Sequence, residues 1–222
     1  MIRRGKIATT RAGYSTALTM SEHNVQRSVA RRGGQLLSDL PRVASLGHSS
    51  QLMAVGRLDL HTEGLLLLTT SGSFSRAVTY GFGPGRERVS KEYWCQVDGV
   101  IDDVALAKLS SGVVIGEGDK AYTTRPGRAR RVGDDEAKER VGERQSGAKS
   151  IRGEAHGPTS WLSLEINEGK NRQVRRMTAA VGFPTLRLVR VRIGGVELDG
   201  ALCDSGSVRE IKEEEVWDDD IM

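Results

Sequence analysis

At 222 residues, with a net charge of +4 at pH 7 and 37% hydrophobic residues, the chain is long enough for a substantial core and its composition reads as soluble. No apolar run approaches the roughly 20 residues of a membrane helix; the longest candidate, Leu65 to Leu68, is strand-sized. Cys95 and Cys203 have no Cys or His neighbour at ligand spacing, so neither a disulfide scaffold nor a metal site is indicated.

Residues 1–35 are atypical, and the whole stretch 1–50 carries eight Lys or Arg against only Glu22 and Asp39 as acids. Three readings stay open for this start: a targeting segment, an Arg-rich disordered arm, or a misassigned beginning. Leu36, Leu37 and Leu40 before Pro41 suggest a short apolar helix closed by proline. Next comes the stretch Val55-Gly56-Arg57-Leu58-Asp59-Leu60-His61-Thr62-Glu63-Gly64, which feeds the apolar run Leu65 to Leu68. Glycines bracket an aspartate that sits between an arginine and a glutamate, an arrangement able to fix a reactive carboxylate at a strand edge. On spacing alone, a loop of solvated charges before a core strand fits equally well.

Leu65 to Thr70 reads as a buried strand, after which Ser73 is the expected cap of a short helix with Phe74, Ala77 and Val78 inward. Lys91 to Val97 alternates and is rich in β-prone residues, which predicts a strand with Cys95 as a small core residue. Asp102 and Asp103 open a helix that Gly112 stops, and Val113 to Ile115 is a brief strand. Residues 125–158, polar and dotted with glycine, are expected to be an insertion loop. Ser160 to Ile166 alternates as a half-buried strand. Asn171 is the expected cap of a helix reaching Val181 with Val174, Met177 and Val181 inward, and Leu186 to Ile193 is a further strand. From Gly169 to Val196 there are seven Lys or Arg and no acid, which predicts an anion-binding face. Val208 to Ile211 is a closing strand, and residues 212–222 read as an acidic tail.

A basic helix beside a basic strand by itself suits phosphate contacts, as in an RNA-binding or ribosome-assembly factor without catalysis. Three ordered motifs carry a more specific resemblance. Gly56-Arg57-Leu58-Asp59 with Thr62-Glu63-Gly64-Leu65-Leu66, then Lys91-Glu92-Tyr93, then Glu168 through Met177 resemble the pseudouridine synthases related to the small-subunit ribosomal enzyme. The stretches Pro158 to Trp161 and Thr178 to Leu188 are nearest to a large-subunit ribosomal RNA branch of that family.

The resemblance implies an α+β fold with a mixed, largely antiparallel sheet, flanking helices and a central active-site cleft, the catalytic domain spanning 36–211. It implies isomerisation of a specific uridine in ribosomal RNA to pseudouridine without cofactor or metal, by a monomer that does not engage a membrane. Action on another RNA is the neighbouring alternative. Within it, Asp59 matches the aspartate that acts on the nucleotide, by direct attack or by promoting a glycal. Tyr93 matches the tyrosine that stacks on the target base and takes part in proton transfer. Arg175 matches the basic residue that pairs with the aspartate, with Arg176 as its nearby alternative. Lys170, Arg172 and Gln173 are expected to hold phosphates or the flipped nucleotide, and Arg57 and Glu63 to orient Asp59. Two departures stand out. No Asn-Lys-Pro segment precedes Asp59, so the core strand that carries it in the family is not recognisable, and Cys203 to Glu210 replaces a Gly-Glu-Trp-Arg segment. The compartment follows the source: cytoplasmic in a bacterium, mitochondrion or plastid in a eukaryote.

Overall fold

The computed structural model describes residues 15–20, 52–59, 61–81, 88–142, 157–198 and 207–217. The expected helix at Leu36 to Leu40 and the first part of the departure, Cys203 to Gly206, lie outside them. One sheet organises the chain. Its strands are β1 (Ser15–Met20), β2 (Met53–Ala54), β3 (Glu63–Thr69), β4 (Lys91–Asp98), β7 (Arg128–Val132), β8 (Thr159–Ile166), β9 (Thr185–Ile193), β10 (Val196–Glu197) and β11 (Val208–Ile211). The order is β11-β1-β3-β9-β4-β8-β7, with β2 paired to β3 and β10 to β9. Every pairing is antiparallel except β3 with β9, so the sheet is mixed and largely antiparallel as expected. A separate hairpin joins β5 (Val114–Ile115) to β6 (Tyr122–Thr123).

Leucine without alternation from 65 to 68 is explained by position. β3 lies inside the sheet, so residues on both of its faces are buried and nothing selects polar side chains on either one. One core cluster gathers Leu65, Leu67, Trp94, Trp161, Val189 and Val191, and a second gathers Cys95, Val97, Leu162, Leu164, Met177 and Leu188. Burial pushes the Cys95 thiol up to about 12, so it packs as an inert apolar group.

Among the described residues, four helices flank the sheet. In α1 (Gly72–Tyr80) the cap is Ser71, whose Oγ accepts from the Phe74 amide at 3.2 Å, two residues before the expected Ser73. Asp102 caps α2 (Asp103–Ser111) by accepting from the Ala105 amide at 2.7 Å, and Gly112 ends it at φ 97. The third, α3 (Asp134–Val141), and strand β7 before it occupy part of the stretch expected as an insertion loop. Their sequence is so charged that periodicity is hidden, because α3 buries only Ala137 while Arg130 and Arg140 lie over the ring of buried Trp94. The fourth, α4 (Gln173–Ala180), starts two residues after Asn171, with Arg172 at its N-cap in the left-handed region at φ 51.

Two other expectations change. Inside the stretch 1–35 expected to be atypical lies β1, which pairs with β3 from Ser15↔Thr69 to Met20↔Gly64. The start of the acidic tail is also anchored, although Glu214 and Glu215 stay exposed. Glu213–Val216 forms a 3-10 turn with Val216 buried, its carbonyl so close to Gly194 that a Cβ there would overlap it, and Trp217 meets Phe74 edge-on at 5.7 Å.

Candidate active site

Sheet register brings the three motifs together. Gly64 on β3 pairs with Arg190 on β9, and Tyr93 on β4 pairs with Arg190 from the other side, so the first two motifs meet across one intervening strand. Gly64 has φ 101, and a Cβ there would overlap the Arg190 carbonyl. Only glycine permits this approach.

Asp59 sits in the turn between β2 and β3. The turn is closed through its backbone, the amides of His61 and Thr62 both donating to the Asp59 carbonyl at 3.0 Å. Two arginines hold this turn from within. Arg190 Nε donates to the Leu65 carbonyl at 2.8 Å and its Nη1 to the Arg57 carbonyl at 3.3 Å, which ties the two ends of the loop to β9. Arg175, buried on α4, donates through Nη2 to the His61 carbonyl and through Nη1 to the Thr185 carbonyl at 3.1 Å. The third motif is thus docked against the first, with Arg175 braced on the turn that presents Asp59.

The start of α4 is organised by Glu168, which is only 4% exposed. It accepts from the Tyr122 hydroxyl at 2.7 Å, the Arg125 amide at 2.8 Å and Gln173 Nε2 at 2.6 Å. Gln173 Oε1 accepts in turn from the Lys170 amide at 2.8 Å. Both ends of the Gln173 amide are committed inside the protein, which braces the start of α4, and the residue also lines the cleft that opens over the site. Lys170 is exposed at the cleft, its ammonium 4.4 Å over the Tyr122 ring. Arg172 and Arg176 are exposed and are not among the cleft-lining residues described. Glu63 also leaves the site. It forms a two-bond ion pair with Arg187 at 3.1 and 2.9 Å, and Arg187 caps α3 through the carbonyls of Val141 and Gly142. Glu63 therefore anchors a helix instead of orienting Asp59.

A cleft of about 840 Å³ opens over this assembly, and Asp59, Tyr93, Arg57 and Lys170 all line it. Four further cations line it that the motifs did not single out: Arg76 on α1, Arg88, Lys91 and Arg190. Asp59 is the one acid among the described lining residues. Lys91 was legible as part of Lys-Glu-Tyr but had no role until alternation placed it with Tyr93 in the cleft. Glu92 between them faces away, accepting from Trp94 Nε1 at 2.9 Å and Ser163 Oγ at 2.7 Å.

Burial first, then Arg190 and Arg88, push the Lys91 ammonium down to about 8. Below that pH folded and unfolded chains both hold the proton. Between about 8 and the ordinary 10.5 only the unfolded chain does, so this group makes stability rise with pH across that window. Lys91→Met is therefore expected to be more stable than the parent at pH 7, on the order of 2 kcal/mol after the lost bond to the Val89 carbonyl is allowed for. Denaturant melts at neutral pH and above pH 10 check this: the gap should shrink as pH rises.

Similarity to known proteins agrees with this geometry. The family model described as RNA pseudouridylate synthase matches residues 36–180. A Xanthomonas campestris protein named ribosomal large subunit pseudouridine synthase E is 42% identical over 156 residues, 70% of this chain and 76% of that protein. The Yersinia pestis ribosomal large subunit pseudouridine synthase B is 36% identical over 205 residues, 87% of this chain and 55% of that protein. A crystal structure of a pseudouridylate synthase superposes with a TM-score of 0.64 at 22% identity, covering 94% of this chain and 74% of that one, which shows the shared fold. With the family model spanning the Asp59 turn, β4 and α4 in one match, the chain belongs to the RNA pseudouridylate synthase family.

Proposed function

We propose that the protein isomerises a specific uridine of large-subunit ribosomal RNA to pseudouridine, with Asp59 as the nucleophile. The observation that carries this reading is the convergence of Asp59, Tyr93 and the Arg175-braced turn on one cationic cleft. The names of the relatives in Xanthomonas and Yersinia supply the RNA.

The residues fit the steps. A uridine must leave its stack to reach a carboxylate at the bottom of a cleft, and the exposed Arg57 and Lys170 at the cleft are placed to meet its phosphates. Tyr93 offers a ring to stack on the base and a hydroxyl for proton transfer. Arg175 keeps the Asp59 turn in place through the His61 carbonyl. The carboxylate then attacks C1' or promotes loss of the C2' proton; either route breaks the N1–C1' bond. The uracil turns and C5 joins C1' as Asp59 leaves C1' or the glycal regains its C2' proton, after which C5 loses its proton and N1 gains one.

Tritium release from RNA carrying 5-tritiated uridine tests the proposal. Large-subunit ribosomal RNA is expected to release tritium, with small-subunit ribosomal RNA and tRNA giving at least about tenfold less, as a difference of roughly 1.4 kcal/mol or more in transition-state binding would produce. Release from tRNA alone would move the substrate to another RNA. Tight RNA binding with no release from any of them would leave an RNA-binding or assembly factor.

A further inference from the structure

Lys91 and Arg190 are cations without a carboxylate partner among the described residues, and both line the cleft beside Tyr93. Arg190 is 3% exposed and satisfies two of its nitrogens with the carbonyls of Leu65 and Arg57, while its Nη2 has no hydrogen-bond partner among the described residues. Lys91 spends one N–H on the Val89 carbonyl at 3.0 Å. Burying uncompensated positive charge is costly, and a fold that keeps two such groups together gains most when an anion arrives next to them.

Depth in the cleft decides which anion. Phosphates are the outermost and most hydrated part of a flipped nucleotide, and the exposed Arg57, Arg76 and Lys170 meet that level. Lys91 and Arg190 lie with Tyr93 on the sheet and are more buried than those three cations, Lys91 in part and Arg190 almost wholly. We propose that Lys91, backed by the field of Arg190, stabilises the uracil ring as the anion it becomes when its glycosidic bond breaks. This rests on the isomerase reading above. In the step concerned, the N1–C1' bonding pair goes to uracil and spreads over N1, O2 and O4. C1' is taken by Asp59 or becomes part of a glycal on loss of the C2' proton. Lys91 keeps its own proton and lowers the energy of the detached anion until C5 attacks C1', as the Asp59–C1' bond breaks or the glycal regains its C2' proton; the ring is then neutral, and it becomes pseudouridine when N1 takes a proton and C5 loses one. The depressed pKa of Lys91 agrees with this: burial and the neighbouring Arg190 and Arg88 disfavour the ammonium, and an anion beside it offsets that cost.

The test uses the full chain on large-subunit RNA. Lys91→Met is expected to lower kcat roughly 100- to 1000-fold, as loss of one charge stabiliser does, with KM changed less than about threefold. Lys91→Arg, which keeps the charge, should recover most of the loss. The decisive comparison is RNA with 5-fluorouridine at the target, scored by chromatography of the digested RNA for loss of the N-glycoside. Fluorine stabilises the uracil anion by itself, so the penalty of Lys91→Met should shrink at least about tenfold. An equal penalty on uridine and 5-fluorouridine would overturn the proposal. So would a loss confined to KM and reproduced in the wild type by a methylphosphonate at the target nucleotide, which would make Lys91 a phosphate contact. Wild-type protein inactive on every RNA would instead remove the isomerase reading itself.

Discussion

Asp59→Asn is expected to lower pseudouridine formation by about 10⁴-fold or more while leaving the melting temperature nearly unchanged. Chemistry supplies the first half. An amide of the same shape is neither a nucleophile nor an anion, and no other carboxylate is present among the described residues of the cleft to replace it. Local structure supplies the second. The turn is closed through the Asp59 backbone carbonyl, and Arg190 and Arg175 hold it through the carbonyls of Arg57, Leu65 and His61, so the carboxylate is not needed to shape the loop. Equal loss of activity and of thermal stability would show that the carboxylate is structural. Single-turnover rates beside thermal melts separate the two.

Gly64→Ala is expected to have the largest effect on stability, roughly 3–5 kcal/mol from left-handed strain and overpacking together. The position has φ 101, and its Cβ would overlap the Arg190 carbonyl and lie 2.8 Å from the Arg190 amide nitrogen, both of them backbone atoms of a central strand. Relief requires β3 and β9 to part at the pairing that also positions the Asp59 turn. Activity should therefore fall with stability. Gly72→Ala is the matched control, since a Cβ at Gly72 meets nothing within 4 Å and its backbone is not left-handed. Urea denaturation of the two variants should place Gly72→Ala within about 0.5 kcal/mol of the parent.

Strands on the inside of the sheet were legible because their burial is written in alternation or in unbroken apolar runs: Lys91 to Val97, Ser160 to Ile166 and Leu186 to Ile193 lie within a residue of β4, β8 and β9. Residues 128–141 were not, because Arg130 and Arg140 pack over Trp94 by cation–π contact, and a scale that scores arginine as polar reads the pair as solvent-facing. Ser15–Met20 escaped for a different reason. Its place is set by pairing with β3 and β11, which are far away in sequence, and a six-residue Ser/Thr-rich segment carries little periodic signal of its own.

The site shows the same division. Asp59 and Tyr93 line one cleft, and Arg175, expected to pair with the Asp59 carboxylate, donates to the backbone of the Asp59 turn at His61. Side-chain direction was less legible. Gln173 and Glu63 turn inward to Glu168 and Arg187, because a buried carboxylate or guanidinium draws any polar group within reach. Arg190 lies on the basic strand that the sequence predicts, and the parallel pairing of β3 with β9 puts it under the Asp59 loop. No local pattern announces a contact of that kind.

The assignment is tested most directly by incubating unmodified large-subunit ribosomal RNA with the wild type and with Asp59→Asn. Pseudouridine is then located by carbodiimide labelling and primer extension. A new stop at one uridine with the wild type, and none with Asp59→Asn, is the expected result. A wild-type chain that binds this RNA and leaves no pseudouridine, or an Asp59→Asn variant that produces it at the wild-type rate, would contradict the assignment.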